Sequence, residues 1–256
     1  MPVWDPARYL EFADDRSRPF VDLVARVQGE PRTVVDLGCG PGHLTPVLRA
    51  RWPGATVHGV DSSPEMIERA LASTGDDPAT YELADVATWT PAGPVDLLVS
   101  NALFQWLDDR LTVVERLAAS VAPGGTFALQ VPRNYASPSH TLLHDIAARP
   151  PYADHVRDVV ADRGTDPEAW LELFAGLGWA VDLWETTYVH VLPGEDPVLA
   201  WVSGTGARPY LQALPDGLRE DFLTAYRSAL REAYPRRPWG TVFPFLRTFV
   251  VARRPD

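Results

Sequence analysis

An α/β fold, with a mostly parallel sheet wound by helices on both faces, is what this 256-residue chain predicts. Short β-branched runs alternate with amphipathic helical patterns from Thr33 to Val131, and the connections between them are short. The first run also opens into a glycine-rich turn, "VVDLGCGPGHLT". Strands are expected at "TVVDL", "TVHGV", "TYELA", "VDLLVS" and "TFALQV". Helices are expected at "HLTPVLRARW", "SPEMIERALAS" and "RLTVVERLAASV", where apolar positions recur three and four apart. Pro64 suits a first helical turn, with Ser62 or Ser63 as its cap. "APGG", Ala122 to Gly125, marks a turn into the fifth strand.

Beyond Val131 the pattern changes. Arg133 to Asp166 is rich in Pro, His and Arg and reads as an insertion before the helix "DPEAWLELFAGLGW". Gly178 terminates that helix, and a long strand follows, "WAVDLWETTYVHVL". Next come "DPVLAWVSGTGARPYLQAL" and a helix near "PDGLREDFLTAYRSALREAY". That helix carries Leu218, Phe222, Tyr226 and Leu230 four residues apart, an apolar stripe. "LRTFVVARR" forms a final strand, and no internal repeat is visible.

Composition narrows the function classes. With 46% apolar and 10% aromatic residues, one domain spanning 1–256 can bury a sizeable core. No window reaches the ~18 uninterrupted apolar residues of a membrane span, so no membrane partner is expected. Acids occur early in the chain and no apolar h-region follows, so no signal peptide is read. A single cysteine, Cys39, excludes an internal disulfide framework and fits a reducing cytoplasm. Neither a CxxC pair nor an HExxH motif occurs, so no metal is expected. A formal net charge of −11 argues against a nucleic-acid surface. All 23 Lys and Arg positions are arginine, which removes Schiff-base catalysis and the phosphate-binding lysine of a P-loop. Nothing points to an obligate protein partner.

The glycine turn is not a dinucleotide fingerprint. Gly38 and Gly40 match G-x-G-x-x-G, but His43 stands at the last position. The pattern is Asp36-x-Gly38-x-Gly40-x-Gly42. An aspartate at the strand end suggests a cationic or hydroxyl-bearing ligand rather than a pyrophosphate. Asp61, 21 residues past Gly40 and followed by Ser62, closes the second strand, where a carboxylate can accept both hydroxyls of a ribose. Asp85, with Val86, ends the third strand, placed to accept from an exocyclic amine such as adenine's. Asn101 and Ala102 end the fourth. Strand ends converging on the carboxyl edge are where open α/β sheets bind ligands.

On these residues the chain resembles the class I S-adenosylmethionine-dependent methyltransferases. The resemblance covers Thr33 to Val131 and rests on "VVDLGCGPG", "VDSSPEM" and "ADV" at their spacings. It implies a Rossmann-like, doubly wound sheet of seven strands with an antiparallel last strand and a helical cap formed by insertions. It also implies Gly38 and Gly40 against the methionine part of the cofactor and Asp61 on its ribose. Asp85 and Val86 would surround the adenine, with Asn101 nearby; Trp106 suits packing beside the cofactor or filling the core. The core is then expected at about 30–132 with 166–191 and 245–254, and the cap at 1–29, 133–165 and 192–244.

The outer segments are similar to a narrower family, the trans-aconitate 2-methyltransferases. "WDPARYLEFADDRSRP", "LFQWLDD", "LQVPRNYASPSH", "WETTYVH", "GTGARPYL" and "FPFLRTFVVARR" carry that likeness. It implies transfer from S-adenosylmethionine, leaving S-adenosylhomocysteine, to a small polycarboxylate. Arginine matches a carboxylate with a planar fork. Candidate donors are Arg133 with Asn134 and His140, Tyr188 with His190, and Arg208, with Arg18 and Arg247 as further positions. "TTYVHV" alternates, which puts Tyr188 and His190 on one face.

A carboxylate with a reference pKa of ~4 is already an anion at neutral pH, so no catalytic residue is required beyond those that position it. Other readings share parts of this pattern. A hydroxyl, amine or carbon acceptor would call for a base, which His140 or His190 could supply. A nicotinamide dehydrogenase is weakened by His43, and a DNA adenine methylase by "SNALFQW", which lacks N-P-P-aromatic. A non-catalytic cofactor-binding module would retain the same cofactor set. Taken singly, Asp61 and Asp85 also suit turns, the arginines suit surface ion pairs worth ~0–1 kcal/mol, and Tyr188 and His190 suit packing.

Overall fold

The computed structural model describes residues 13–75, 77–159 and 164–256, and side chains from residue 17 onward. Residues 1–12 and 160–163, both expected in the cap from sequence, lie outside the described residues. Seven strands form one sheet: β1 (Thr33–Leu37), β2 (Thr56–Asp61), β3 (Thr80–Leu83), β4 (Val95–Asn101), β5 (Val121–Pro132), β6 (Ala180–Leu192) and β7 (Thr241–Arg253). Their order is β3-β2-β1-β4-β5-β7-β6, with the last strand antiparallel. The pairs β1–β2, β1–β4, β2–β3 and β4–β5 are parallel. The chain winds outward from β1 to β3 and then returns to β4, so β1 and β4 flank the switch point of the sheet.

The molecule divides into two compact units. The larger holds 13–132, 165–186 and 248–256 of the described residues. Its helices are α1 (Ala13–Arg26), α2 (Thr45–Arg51), α3 (Pro64–Ser73), α4 (Arg110–Ala118) and α7 (Pro167–Gly176). The smaller holds 133–159, 164 and 187–247, with α5 (Pro138–Ala147), α6 (Ala153–Val156), α8 (Pro197–Ser203), α9 (Arg208–Ala213) and α10 (Asp216–Ala233).

In the larger unit the central strands are apolar on both faces, as a sheet covered on both sides requires. Phe104, Phe127, Trp170 and Phe174 are fully buried beside Leu37, Leu98 and Leu129. Each such aromatic contributes about 1.5–3 kcal/mol by leaving water. Phe127 and Phe174 meet at 5.6 Å between ring centroids, and Phe104 meets Trp170 edge-on at 6.3 Å. Of the two serines that could cap α3, Ser63 does so, its Oγ accepting from the Met66 N–H at 3.3 Å. Pro64 follows at the first helical position.

The "APGG" segment is not a turn outside the fifth strand. It lies within β5, where pairing to β4 shifts register between Val95 and Leu97. The reason is the chain's end: the Gly124 N–H donates to Pro255 O at 3.1 Å, and the Arg254 N–H to Gly125 O at 2.9 Å. The insertion after Val131 also holds a helix. Pro138 opens α5, which buries Ser139, Leu143, Ile146 and Ala147. In the same unit α10 buries Phe222, Tyr226 and Leu230 along the expected stripe. The Tyr226 hydroxyl donates to Ser139 O at 2.5 Å, and the Ser139 N–H donates to the Tyr234 hydroxyl at 3.0 Å.

Candidate active site

In the larger unit the glycine turn follows β1 directly. Gly38, Gly40 and Gly42 have φ of +72°, +55° and +74°, a region that side-chain-bearing residues rarely enter. The Gly38 and Cys39 N–H groups donate to Val60 O at 2.8 and 3.1 Å, which ties the turn to the end of β2. Asp61 fastens it further. Its Oδ2 accepts from the Gly40 N–H and its Oδ1 from the Ser63 N–H, both at 2.9 Å. Burial raises its pKa, against the opposing pull of the Ser63, Gly40 and Ser62 N–H groups. Three N–H donors occupy three of the roughly four lone-pair positions of the Asp61 carboxylate, which leaves one for a further donor. Ser62 itself is exposed.

Asp36 has a different environment. It is 1% exposed, and neither carboxylate oxygen has a hydrogen-bond partner. Burial, reinforced by the nearby charge of Asp61, pushes its pKa up to about 7. A buried acid without a partner is costly unless something donates to it. The site therefore suits a ligand that brings a positive charge or N–H and O–H donors.

The third glycine of the turn answers to a tyrosine rather than to a pyrophosphate. A Cβ at Gly42 would lie 2.8 Å from the Tyr81 hydroxyl, and one at Gly59 would lie 2.7 Å from Tyr81 Cδ1 and 2.8 Å from Cys39 Sγ. Tyr81 also shares a hydrogen bond with Thr45 Oγ1 at 2.9 Å. Sequence reading missed this residue, whose signal is an aromatic in a strand that faces a glycine, Gly59, in the paired register. Cys39 is buried as packing beneath Gly59, and burial first, then Asp36 and Asp61, push its thiol pKa up.

The segment after β3 is held by Arg116 of α4, also missed. Its Nη1 donates to Trp89 O at 2.6 Å and its Nη2 to Val86 O at 2.9 Å and Ala87 O at 3.1 Å. Asp85 Oδ1 accepts from the Ala87 N–H at 2.9 Å, an Asx turn that leaves its other oxygen available in geometry. Val86 is buried. At the end of β4, Asn101 Oδ1 accepts from Gln130 Nε2 at 2.5 Å, and Trp106 is half-buried in the short 3-10 turn Phe104–Trp106.

The smaller unit gathers several of the arginine and aromatic candidates. Tyr188 and His190 both lie on the buried face of β6, while Val189 and Val191 between and beyond them are exposed. Their rings stack at 6.4 Å, and His190 packs on Trp201 at 4.9 Å and against Phe245 at 6.4 Å. Arg247 is buried with its guanidinium 4.7 Å from the Phe245 ring centroid, a cation–π arrangement. Trp201 and Phe245 were not singled out from sequence, because only the fold brings α8 and β7 together around His190. Arg133 and Asn134 are tied to the same stretch of β7. The Arg133 N–H donates to Leu246 O at 2.9 Å, and the Leu246 N–H donates to Asn134 Oδ1 at 2.7 Å. Asn134 Nδ2 reaches Pro244 O at 3.5 Å, so its amide serves the backbone and keeps one hydrogen for another acceptor.

His140 stands in the first turn of α5, its Nδ1 within 3.4 Å of Ser137 Oγ and 3.2 Å of Ser139 Oγ. Burial, with His144 adding to it, lowers its pKa to about 4, so the ring is neutral near pH 7. A Cβ at Gly206 would lie 3.2 Å from His140 Nε2, so the turn before α9 passes close to this ring. Arg208 begins α9, its N–H donating to Thr205 O at 3.0 Å. Arg18 is exposed on α1 and belongs to the larger unit. Among the described residues, no group of three or more His, Cys, Asp or Glu is arranged to hold a metal ion. No described helix is long and apolar enough to cross a membrane.

Comparison with known proteins places this geometry in context. The profile of a family described as a methyltransferase domain matches residues 9–183. Trans-aconitate 2-methyltransferase of Streptomyces avermitilis is 48% identical, with 99% of this chain and 98% of that protein aligned. The enzyme of that name from Methylobacterium nodulans is 45% identical, with 99% of each chain covered. The Mycobacterium tuberculosis relative is 44% identical over 98% of this chain and 96% of its own. Among solved structures, the methyltransferase in a Haloferax volcanii complex with the activator Trm112 aligns with a TM-score of 0.58 at 23% identity, covering 98% of this chain and 94% of its own. Haemonchus contortus phosphoethanolamine N-methyltransferase 2, in complex with S-adenosyl-L-methionine, aligns at 0.57 and 17%, covering 93% and 53%. These two structures share the fold.

Proposed function

Because the chain belongs to the S-adenosylmethionine-dependent methyltransferases, in the branch of the trans-aconitate 2-methyltransferases, we propose that it forms a monomethyl ester of trans-aconitate or a related small tricarboxylate. The observation that carries this reading is identity of 44–48% over 98–99% of the chain to enzymes of that name, because it spans both compact units. S-adenosylmethionine, when bound, supplies a methyl group on a sulfonium, electrophilic toward an anion.

Asp36 supports the fit of that cofactor to the larger unit. The orphaned, buried carboxyl calls for a cationic donor, and the α-ammonium of the methionine part is one. In this reading Gly38 and Gly40 allow close approach to the methionine part, Asp61 accepts from the ribose hydroxyls, and Ser62 flanks it. Asp85 and Val86 meet the adenine, with Asn101 and Trp106 completing the donor side. Apart from Arg18, which lies in the larger unit, the acceptor's partners in this reading come from the smaller unit. Arg247, Arg133 and Arg208 grip carboxylates, Tyr188, His190, Asn134 and His140 add donors, and Arg18 is assigned a minor part.

The chemistry asks for positioning. The attacking carboxylate is ionised at neutral pH, so no proton needs to be removed. His140, neutral over the working range, binds rather than abstracts. Charge is neutralised as the anion meets the cation, so a tight arginine fork on the attacking oxygen would hold back the reaction. The arginines are therefore assigned to the carboxylates that do not react, and the reacting one has weaker contacts. Catalysis then comes from orientation in line and exclusion of water.

Purified protein with methyl-labelled S-adenosylmethionine and a panel of di- and tricarboxylates tests this. A base-labile methyl ester on trans-aconitate is expected. Cofactor binding with no transfer to any carboxylate would overturn the acceptor assignment.

A further inference from the structure

We infer that Gln105 is a positioning residue for methyl transfer: its amide holds Ala102 in a left-handed conformation and thereby seats Leu103 against the glycine turn. All of these groups lie in the larger unit. β4 ends at Asn101, and the next residue, Ala102, has φ of +59°, one of two non-glycine residues with positive φ among those described. An alanine gains nothing intrinsically from that conformation, because its Cβ crowds the following carbonyl. Something must therefore hold it.

Two glutamines do so. The Ala102 N–H donates to Gln130 O at 2.9 Å, which prolongs the β4–β5 ladder by one residue. Gln105 Nε2 donates to Ala102 O at 2.7 Å from the 3-10 turn that follows. The amide assignment is fixed by chemistry, since a carbonyl accepts only and the nitrogen must face it. Leu103, between them, lies where a Cβ on Gly38 would meet its own Cβ at 2.9 Å. The clamp on Ala102 thus sets how closely the end of β4 approaches the first glycine of the turn. A shift at Ala102 would move that contact and the backbone beside it.

A second observation separates this side chain from an ordinary structural cap. Gln105 is 4% exposed, and its Oε1 has no hydrogen-bond partner. An orphaned buried carbonyl oxygen costs stability, and an apolar side chain of the same shape would avoid that cost. As a cap, the glutamine satisfies Ala102 O only by burying an oxygen of its own unpaired. A glutamine that serves catalysis at some expense of stability accounts for both ends of its amide.

The inference rests on S-adenosylmethionine-dependent transfer, and a methionine of similar length and shape tests it. In Gln105→Met the clamp and the orphan oxygen are lost together, and Ala102 O loses its side-chain donor. We expect the melting temperature to stay within about 3 °C of wild type, because the relief of the unpaired oxygen and the loss of the bond to Ala102 O offset each other. The kcat should fall about tenfold with the acceptor's KM little changed. Affinity for S-adenosylhomocysteine should fall about fivefold, because its seat is less pre-organised. Adding Ala102→Gly, which adopts φ near +60° freely, should restore most of the lost kcat and affinity. Wild-type kcat and wild-type affinity in Gln105→Met would overturn the inference. So would a loss that tracks the melting temperature and is not repaired by Ala102→Gly. If the wild-type protein transfers no methyl group to any carboxylate, the acceptor reading fails, and S-adenosylhomocysteine affinity across the three proteins still decides the role of Gln105.

Discussion

The two compact units place their polar groups by different means. In the larger unit, Asp61 and Asp85 sit at or just beyond strand ends, and the groups bonded to them are backbone: the Gly40 and Ser63 N–H groups for Asp61 and the Ala87 N–H for Asp85. In the smaller unit, His190 and Arg247 are placed by side chains from several elements, Trp201 on α8 and Phe245 on β7 among them. A site built on backbone depends on a few residues that cannot change without moving the main chain. One built on packed rings can be altered stepwise. Under the proposed function, the contrast would suit a constant cofactor on the backbone-built side and a selective acceptor on the other.

Substitutions can break or sharpen that contrast, and the largest effect belongs to the backbone-built side. Asp61→Ala removes an acceptor and also releases the Gly40 and Ser63 N–H groups, so S-adenosylhomocysteine affinity measured by calorimetry should fall about 100-fold. A loss as small as that of a surface carboxylate would break the distinction. On the other side, Arg247→Lys keeps the charge but loses the planar fork. The acceptor's KM should rise about thirtyfold while cofactor affinity holds, and equal losses in both would place the residue wrongly.

Asp36 links the first unit to pH. Its folded pKa of about 7 lies above the ordinary value of 3.8, so the folded chain holds a proton that the unfolded chain releases. The ligand-free protein should therefore lose stability as pH rises through 7, and Asp36→Asn should flatten that slope in thermal scans from pH 5 to 8. Cofactor affinity should move the other way, falling about tenfold per unit below that pKa as the carboxyl must first ionise. Gly59→Ala forces a Cβ onto Tyr81 and Cys39 and should cost about 1–3 kcal/mol in urea unfolding. The smallest effect is reserved for His140→Gln. The ring is already neutral above its pKa of about 4, so the kcat profile between pH 6 and 9 should keep its shape.

Legibility in the sequence followed the same division. Spacing put Asp36 and Asp61 near strand ends, where the parallel register of β1, β2 and β3 holds them, while Gly38 and Asp85 follow one and two residues beyond β1 and β3. It left Ser62 and Ser63 as equal caps, and only the bond to the Met66 N–H chose between them. "APGG" read as a turn, because its pairing partners, Pro255 and Arg254, are far away in the chain. Helix α5 was hidden inside a segment rich in Pro and His, although Ser137 and Pro138 were a start signal. Trp201 and Phe245 carried no signal at all until packing joined them. The left-handed backbone of Ala102 was equally silent, since alanine does not advertise such a conformation as glycine does.

Cys39 has one last consequence. The chain's only thiol is enclosed beneath Gly59 in the turn, and burial keeps it protonated. Alkylating reagents and oxidants act on the exposed thiolate, so they reach this sulfur only when the turn swings away from β2. The rate of its modification is then a clock for the opening of that segment, readable by intact mass without any added label. A ligand seated on the turn would slow the clock, and a denaturant would speed it.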